Sequence, residues 1–483
     1  MVDKIIVRDL DEVSVKIECD GGIAYELREF FAFLVPGHQF TPQYRAKLWD
    51  GKIRLFDIRT NTVYRGLVQY LRKFCLERNY KLVYESEQYD DEFSVHEAME
   101  FIKSLNLTIE PRDYQVNAFV HAIRTRRALL LSPTASGKSL IIYLLLRKIN
   151  AKKTLIIVPT TSLVTQLAGD FKDYGYDSDN NVHGIFSGKE KHSDKKVVIS
   201  TWQSIYTMPE KFFHQFDAVI GDEAHLFKAK SLTKILTSLI NAKYRIGTTG
   251  TLDGTKTHKL VLEGLFGPTK DVITTKELMD KKVVADFNIK CLLLRYSEEI
   301  CKQVKDKRYP EEIEFLVLNE KRNKFITNLA ESLNGNTLIL YQYVEKHGKI
   351  LYDILKKNDT RKVYFVHGDT DVYERENIRR IAEEENDIII VASYGTFSTG
   401  INIKNLHNII FASPSKSRVR NLQSIGRGLR RSDTKDKATL FDIADDLSYK
   451  KHMNYTLDHF EERIKIYSEQ KFTFKIYRID LKG

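Results

Sequence analysis

The chain has 483 residues and a formal net charge of +11, with 42% hydrophobic and 11% aromatic residues. This hydrophobic content excludes a generally disordered chain, and the length predicts about three domains. The sequence has neither an apolar run long enough to cross a bilayer nor the apolar core of a signal peptide. The basic charge favours a polyanionic partner, and on charge alone nucleic acid and an anionic membrane surface both remain open. The four cysteines lack the paired spacing of metal ligands, which favours reduced, buried thiols in an intracellular protein.

Residues 1–100 predict a small α+β accessory domain that carries no nucleotide motif. Alternating apolar residues at 13–17 predict a strand, and residues 24–33 predict a helix. The acidic stretch 85–92 is typical of an exposed connector.

A hairpin is predicted at Asp50-Gly51, because this pair lies between two alternating segments. On its second strand, Lys52 and Arg54 would share one face. These cations could follow a phosphate backbone while Trp49 stacks on bases, which would make this a DNA-binding domain. A solvated strand face beside a core tryptophan is the alternative.

A short helix start precedes the nucleotide motif. In it, the Gln115 amide offers both a donor and an acceptor, so it could pair with the adenine edge. We assign Arg112 and Tyr114 to the same nucleotide site. A helix-start residue that faces water is the alternative for Gln115.

A phosphate-binding loop is predicted between an apolar strand at 128–131 and a helix at 140–146. Small residues let backbone N–H groups close around an anion, and the helix N-terminus adds a favourable field. Lys138 would reach the β- and γ-phosphates of ATP, and the Ser139 hydroxyl would hold Mg²⁺. Ser132 replaces the first glycine of the usual pattern. The residues predicted to bind the nucleotide here are Pro133, Thr134, Ala135, Ser136, Gly137, Lys138 and Ser139.

Apolar runs separated by amphipathic segments predict a parallel α/β sheet in residues 101–286. The expected strands cover residues 154–158, 197–201, 218–220 and 244–247. Loops at the carboxyl ends of such strands build ligand sites. Thr160 and Thr201 lie in these loops, and we expect both to contact nucleic acid.

An acid pair, Asp222 and Glu223, follows one of these strands. Asp222 is expected to hold Mg²⁺ and Glu223 to orient the water that attacks ATP. His225 is expected to hydrogen-bond toward the other half of the chain and report the nucleotide state. A solvated strand end is the alternative for the acid pair.

These motifs and the segment 249–251, taken in order, resemble the adenine-glutamine, phosphate-loop, DEAH-box and coupling motifs of superfamily-2 helicases. The resemblance implies that Thr249 and Thr251, together with His225, couple the nucleotide state to the rest of the protein. The resemblance implies an ATP-hydrolysing, nucleic-acid-dependent motor with two tandem RecA-like parallel-sheet domains. We place these domains at 101–286 and 287–447, after the accessory domain. Residues 448–483 would then form a helix and strand that pack on the second RecA-like domain.

The second half has a further run of strands at 290–294, 337–341, 363–366, 388–391, 408–411 and 438–443, without a second phosphate loop. The two halves are therefore not equivalent ATPases. His367 lies in a stretch that resembles a family motif facing nucleic acid. Thr396 and Gly400 belong to a stretch rich in hydroxyls and glycine, which suits close approach to phosphates. We expect Thr396 to contact nucleic acid and Gly400 the nucleotide. A tight connecting loop is the alternative.

Arg427 and Arg430 are three residues apart, so one helical face would present both. Guanidinium groups suit the equatorial oxygens of a transferring phosphoryl group. With Gln423, which we assign to coupling, they resemble the arginine-finger motif of the family. Because Lys138 and Glu223 belong to the first half, full charge stabilisation would require the two halves to close. A basic surface helix is the alternative.

The whole chain, including the segment 48–55, resembles the UvsW helicases of phages. This resemblance implies a DNA helicase or translocase that remodels branched DNA by branch migration and fork regression, with R-loop unwinding as a further activity. The setting would be phage recombination, repair and replication in the cytoplasm of the infected host cell. The implied partners are forked or four-way DNA and RNA–DNA hybrids, for a monomer with no membrane partner. An RNA helicase and the motor subunit of a restriction-type nuclease complex are the alternatives.

Overall fold

The computed structural model describes residues 3–85, 92–186, 188–226, 229–252, 256–358, 361–400, 403, 405–414, 425 and 437–481. The chain divides into two compact units, the first taking in Met1–Ser132 and Gly137–Ile273 and the second Pro133–Ser136 and Thr274–Gly483. Within the described ranges, no helix combines the length and the apolar character that a membrane span requires.

The front of the first unit is a mixed five-stranded sheet with the order β5-β6-β2-β1-β7, in which β7 is parallel to β1 and the other pairs are antiparallel. A separate two-stranded sheet joins β3 to β4. The strands are β1 (Lys4–Asp9), β2 (Ser14–Glu18), β3 (Ala32–Leu34), β4 (Lys52–Arg54), β5 (Phe56–Asp57), β6 (Thr62–Tyr64) and β7 (Lys81–Tyr84). The helices are α1 (Gly21–Phe30), α2 (Pro42–Arg45), α3 (Val68–Arg78) and α4 (Val95–Ser104), with 3₁₀ turns at His38–Phe40 and Arg65–Leu67.

The hairpin predicted at Asp50-Gly51 is wrong. The residues before the turn include the short helix α2, and β4 pairs antiparallel with β3 instead, with Phe33 opposite Ile53. Thr41 explains the helix, because its side chain accepts from the Tyr44 N–H and Pro42 follows at the first helical position. These capping signals outweigh the alternating pattern.

The second part of the first unit is a seven-stranded, wholly parallel sheet with the order β10-β11-β9-β12-β13-β8-β14. All four strands predicted here are confirmed. The strands are β8 (Arg127–Leu131), β9 (Thr154–Val158), β10 (Val182–Ile185), β11 (Val197–Thr201), β12 (Ala218–Gly221), β13 (Tyr244–Thr249) and β14 (Thr269–Asp271). The helices are α5 (Asp113–Thr125), α6 (Lys138–Ile149), α7 (Thr161–Asp173), α8 (Ser178–Asn181), α9 (Trp202–Ile205), α10 (Glu210–Phe213), α11 (Ala229–Ser238) and α12 (Lys256–Leu265), and a 3₁₀ turn covers Ala224–Leu226. The next helix, α13 (Thr275–Asp280), already belongs to the second unit.

The second unit is also built on a seven-stranded parallel sheet, with the order β17-β18-β16-β19-β20-β15-β21. All six strands predicted in this half are confirmed, and the final strand lies at the sheet edge. The strands are β15 (Asp286–Arg295), β16 (Thr337–Tyr341), β17 (Lys362–Val366), β18 (Ile388–Ser393), β19 (Asn408–Phe411), β20 (Lys437–Asp446) and β21 (Thr473–Asp480). The helices are α14 (Glu298–Val304), α15 (Tyr309–Leu318), α16 (Glu320–Ser332), α17 (Lys349–Asn358), α18 (Val372–Glu384), α19 (Tyr394–Gly400) and α20 (Tyr455–Glu469), with a π-helical turn at Val344–Gly348.

The front sheet and the first parallel sheet share one hydrophobic core, which runs from Ile5 through Phe74 to Phe266. The 3₁₀ turn before α3 also lies against α12, since a Cβ on Gly66 would be only 2.0 Å from the Glu263 carbonyl oxygen. The buried Glu263 carboxylate accepts from the Tyr70 hydroxyl at 2.5 Å. The accessory domain is therefore packed directly on the part of the first unit that carries the parallel sheet.

Polar contacts complete this interface around Glu12. Its side chain accepts from the guanidinium of Arg127, the first residue of β8, and its backbone oxygen accepts from the same group at 2.7 Å. Arg65 lies 3.5 Å from the Glu12 carboxylate and 2.8 Å from Asp9. Burial, partly offset by the charge of Glu12, lowers the pKa of Arg127 to about 10.

Buried charges also tie helices to the second sheet. Arg322 on α16 pairs with Asp445 at 2.8 Å and donates to the carbonyl of Ala412, just past β19. The next residue, Ser413, lies 2.9 Å from Nδ1 of the fully buried His347. Burial, reinforced by the charge of Arg322, holds the pKa of His347 well below its usual value.

Candidate nucleotide site and nucleic-acid contacts

The phosphate loop joins β8 to α6 and is closed by its own hydrogen bonds. The Ser136 N–H and hydroxyl both donate to the Pro133 carbonyl, at 3.2 and 2.7 Å. Ala135 and Gly137 adopt positive φ, and Gly137 caps the twelve-residue helix α6. A loop that reverses the backbone just before a helix N-terminus is the arrangement that binds phosphate.

The side chains of Lys138 and Glu223 form an ion pair of 3.0 Å in the first unit. The neighbouring Asp222 uses one oxygen, Oδ1, to accept from the Glu223 N–H at 2.9 Å and from the Thr248 hydroxyl at 2.6 Å. Burial, followed by the charge of Glu223, raises the pKa of Asp222 to about 6. Burial acts in the same direction on Glu223, but the charges of Lys138 and His225 outweigh it and lower the pKa of that carboxyl. Glu223 is therefore the ionised partner of Lys138.

Three of the four predicted coupling residues, His225, Thr249 and Thr251, lie in one hydrogen-bonded network with this acid pair. His225 Nδ1 is 2.6 Å from the Thr249 hydroxyl, which in turn donates to the Thr251 carbonyl at 2.9 Å. Because the threonine proton is used there, His225 must donate from Nδ1. Glu223 accepts from the Gly250 N–H at 3.4 Å, and its carboxylate is 3.5 Å from His225. The acid pair and the segment after β13 are thus linked directly.

Gln115 is buried at the start of α5, and both ends of its amide contact backbone. Its oxygen accepts from the Arg112 N–H at 2.8 Å, and its nitrogen donates to the Gly137 carbonyl at 3.3 Å. A guanidinium nitrogen of Arg112 lies 3.4 Å from the Tyr114 hydroxyl. The three predicted residues therefore lie together and attach the helix start to the phosphate loop. The adenine contact of Gln115 stays a prediction.

Two further residues in this site carry no assignment from the sequence. The Tyr174 hydroxyl lies 3.0 Å from the Ser139 hydroxyl, although the two residues are 35 positions apart. No spacing rule could have found this contact. Thr248, the donor to Asp222, is the penultimate residue of β13. Its position near the carboxyl end of a strand could therefore have placed it in the site.

The threonines predicted to contact nucleic acid lie at strand ends, as expected. Thr160 follows β9, and its hydroxyl is 3.1 Å from that of Ser162. Thr201 ends β11 and is buried, with its hydroxyl 2.8 Å from that of Ser204. Their contact with nucleic acid stays a prediction, to which the local hydroxyl pairing of Thr201 offers little support.

In the second unit, His367 follows β17 and accepts at Nδ1 from the Asp369 N–H at 3.4 Å. Thr396 is buried in α19, and its hydroxyl is 2.7 Å from that of Ser393. Gly400 ends α19. The predicted residues Gln423, Arg427 and Arg430 lie outside the residues that the structure describes.

The three front-domain residues predicted to contact nucleic acid also make intramolecular contacts. The Trp49 indole donates to the Lys52 carbonyl at 2.9 Å. Lys52 pairs with Glu29 at 2.8 Å, and Arg54 pairs with Asp50 and lies 3.7 Å from Glu29. The expected common face of Lys52 and Arg54 is confirmed, and their charges are largely balanced within the domain.

Three family models match the chain in order. They are described as "DNA helicase UvsW, N-terminal" at residues 4–85, "Type III restriction enzyme, res subunit" at 108–254 and "Helicase conserved C-terminal domain" at 320–432. The ATP-dependent DNA helicase uvsW of Enterobacteria phage T4 is 37% identical over 497 residues, covering 98% of both chains. The chain belongs to the UvsW family of DNA helicases. A crystal structure of T4 UvsW is 35% identical, with a TM-score of 0.53 over 99% of this chain and 100% of that one.

More distant relatives share the motor region of this UvsW-family helicase. The DNA 3'-5' translocase XPB2 of Sulfurisphaera tokodaii is 27% identical over 67% of this chain and 80% of its own length. A DNA-bound type ISP restriction-modification enzyme, LlaBIII, is 17% identical with a TM-score of 0.57, over 84% of this chain and 34% of that one, and this likeness shows the fold alone. The two parallel sheets are RecA-like helicase domains, and the chain is an ATP-hydrolysing enzyme. The restriction-motor and RNA-helicase alternatives are not favoured.

Proposed function

We propose that this UvsW-family helicase uses ATP hydrolysis to remodel branched DNA by branch migration and fork regression, and to unwind R-loops, in phage recombination, repair and replication. The observation that carries the proposal is the network joining Lys138, Glu223 and Asp222 through His225 to Thr249. It lies in a chain related end to end to a phage DNA helicase.

The chemistry of the first unit follows from the ion pair. A γ-phosphate that attracts Lys138 would release Glu223, whose carboxylate could then orient and deprotonate the attacking water. The same carboxylate accepts from the Gly250 N–H and lies near His225. Its release from Lys138 would therefore change the hydrogen bonds of the segment after β13. Hydrolysis and movement of that segment would therefore be linked.

The residues present fit a Mg²⁺ site. Mg²⁺ prefers oxygen ligands and is usually held by one or two carboxylates together with substrate phosphates. Among the described contacts, Asp222 uses only Oδ1, which leaves Oδ2 for a cation. Ser139 and Asp222 would hold the ion, which would neutralise charge on the phosphates. No group of three acidic, histidine or cysteine side chains with metal-binding geometry occurs within the described ranges.

The proposed substrates are forked and four-way DNA, with RNA–DNA hybrids as a further class. The protein would act as a monomer in the cytoplasm of the infected host cell, without a membrane partner.

Arg427 and Arg430 are proposed to stabilise charge on the transferring phosphoryl group. If so, Arg430→Ala should lower the hydrolysis rate far more than ATP affinity, and equal losses would make it a binding residue.

One titration tests the proposal. ATP hydrolysis is measured against single-stranded, duplex, forked and four-way DNA, with matched RNA, at several salt concentrations, because phosphate contacts make affinity steeply salt-dependent. We expect the strongest stimulation by branched DNA. Glu223→Gln should abolish hydrolysis and retain DNA binding, whereas the exposed Glu210→Gln should behave as wild type. Hydrolysis at full rate without nucleic acid, or equal stimulation by RNA, would contradict the proposal.

A further inference from the structure

The segment 35–50, which we call the tip, connects β3 to β4 and contains no buried residue. It nevertheless presents large apolar side chains to solvent. Leu48 is 81% exposed and Phe40 69% exposed, and the nearby Tyr44 and Ile53 are each more than a third exposed. Side chains of this kind contribute nothing to a core here, so folding does not explain them.

The tip has a defined shape although it lacks a core. The Val35 N–H donates to the Gly51 carbonyl at 2.8 Å, and the Leu48 N–H donates to the Gln43 carbonyl at 2.9 Å. Gly51 has a φ of +78°, and a Cβ there would lie 2.5 Å from the His38 ring, so only glycine fits. Phe40 and Leu48 are therefore presented on a backbone that is already ordered, which lowers the entropy cost of binding.

Cations flank the apolar side chains. Arg45 and Lys47 precede Leu48 and are exposed, and Lys47 has no ion-pair partner among the residues that the structure describes. The one acid in the sequence of the tip, Asp50, already pairs with Arg54 of β4, so it does not balance the charges of Arg45 and Lys47. The surface thus combines apolar contact with attraction for a polyanion.

We infer that the tip binds the unpaired bases at a DNA branch point, with Phe40 and Leu48 against the bases and Lys47 near the adjacent phosphate. This inference rests on the proposed function and adds the residues that recognise the branch. Aromatic and apolar side chains cover or wedge apart exposed bases, whereas bases within an intact duplex are not available to them. A stable protein complex usually buries about 800 Å² on each partner, more than these few side chains offer.

The shared hydrophobic core attaches the tip to the first RecA-like domain. β3, which leads into the tip, belongs to the domain that packs on the part of the first unit that carries the parallel sheet, through Gly66 and Tyr70. A base held by the tip is therefore held on the same unit as Lys138 and the acid pair. Translocation by the motor would move the duplex against the tip.

The test uses the full chain and a fork that carries 2-aminopurine at the first unpaired position. Affinity is measured by anisotropy for the fork and for a linear duplex of equal length, across salt concentrations. Phe40→Ala combined with Leu48→Ala should weaken fork binding about tenfold, since stacking contributes strongly per base. The salt slope and the duplex affinity should not change, because no phosphate contact is lost. The change in 2-aminopurine fluorescence that wild type causes on binding the fork should be lost in the double variant.

Two controls sharpen the result. Leu76→Ala removes a leucine that is 80% exposed on α3 of the same domain, and it should leave fork affinity unchanged. Lys47→Ala should lower the salt slope by about one, as expected for one phosphate contact. Unchanged fork affinity in the double variant, an equal loss on linear duplex, or an equal loss in Leu76→Ala would each overturn the inference. If wild type and double variant remodel forks equally, the tip assignment fails while the proposed function stands. If wild type remodels no branched DNA, the proposed function itself fails.

Discussion

Replacing Glu12 by glutamine tests how the accessory domain is held on the motor. The carboxylate is 15% exposed and faces two guanidinium groups, those of Arg127 and Arg65, whose side chains are 10% and 7% exposed. Removing one partner of a buried ion pair costs about 3–5 kcal/mol, because the remaining charge stays buried. Arg65 keeps Asp9, and Arg127 keeps the backbone oxygen of residue 12, so we expect the lower end, about 3 kcal/mol.

For a unit of this size, each kcal/mol shifts Tm by about 2–4 °C, which predicts a loss of about 6–12 °C. The chain has two tryptophans, Trp49 and Trp202, and both belong to the first unit, so tryptophan fluorescence follows its unfolding separately. The control is Glu26→Gln, because Glu26 pairs with Arg78 at the surface of the same domain, and such pairs contribute less than about 1 kcal/mol. A Tm equal to wild type, or an equal shift in the control, would refute the assignment of Glu12 as the interface anchor.

Three further predictions concern other contacts. Gly66→Ala places a Cβ 2.0 Å from the Glu263 carbonyl and should destabilise the first unit by about 1–3 kcal/mol in the fluorescence assay, whereas Gly21→Ala, with open space around it, should be nearly neutral. Tyr174→Phe removes the hydroxyl beside Ser139 and should weaken Mg²⁺-dependent binding of a fluorescent ATP analogue about tenfold. An equal effect of Tyr176→Phe would contradict a specific role of the Tyr174 hydroxyl in holding Ser139. The pKa of buried His347 lies well below the ordinary histidine pKa that applies in the unfolded chain. Below about pH 6.5 only the unfolded state therefore gains this proton, so the free energy of unfolding should decrease by up to about 1.4 kcal/mol for each pH unit by which the pH is lowered. Calorimetry of the second unit should show a shallower pH dependence in His347→Asn, and an unchanged slope would exclude this histidine.

The parallel sheets were predictable because fully buried strands are continuous apolar runs. Residues 154–158 and 337–341 show this pattern, and both form strands with the predicted bounds. The edge strands β10 and β14 were not predicted. Val182–Ile185 includes a histidine and a glycine, and Thr269–Asp271 is short and polar, so neither carries the apolar signal.

Within the nucleotide site, local motifs predicted which residues come together but not how each is used. The pairing of Lys138 with Glu223 follows from strand order in the sheet, since β8 and β12 are separated only by β13. The backbone contacts of Gln115 could not be foreseen, because an amide suits backbone and adenine equally well. Contacts such as Glu12 with Arg127 join residues 115 positions apart, for which sequence spacing carries no information.

The last strand of the second sheet has a consequence for synthesis of the chain. β15 lies between β20 and β21, and Arg295 at its end reaches its partner Asp480 across 185 residues. At the usual translation rates of about 5–20 residues per second, β15 waits about 10–40 s for that neighbour. During this interval a long, apolar strand has an open edge within a nascent protein, where another chain could pair with it. Chaperone binding to stalled or shortened nascent chains should therefore concentrate on the segment around Cys291, and it should end once residues 473–480 have emerged.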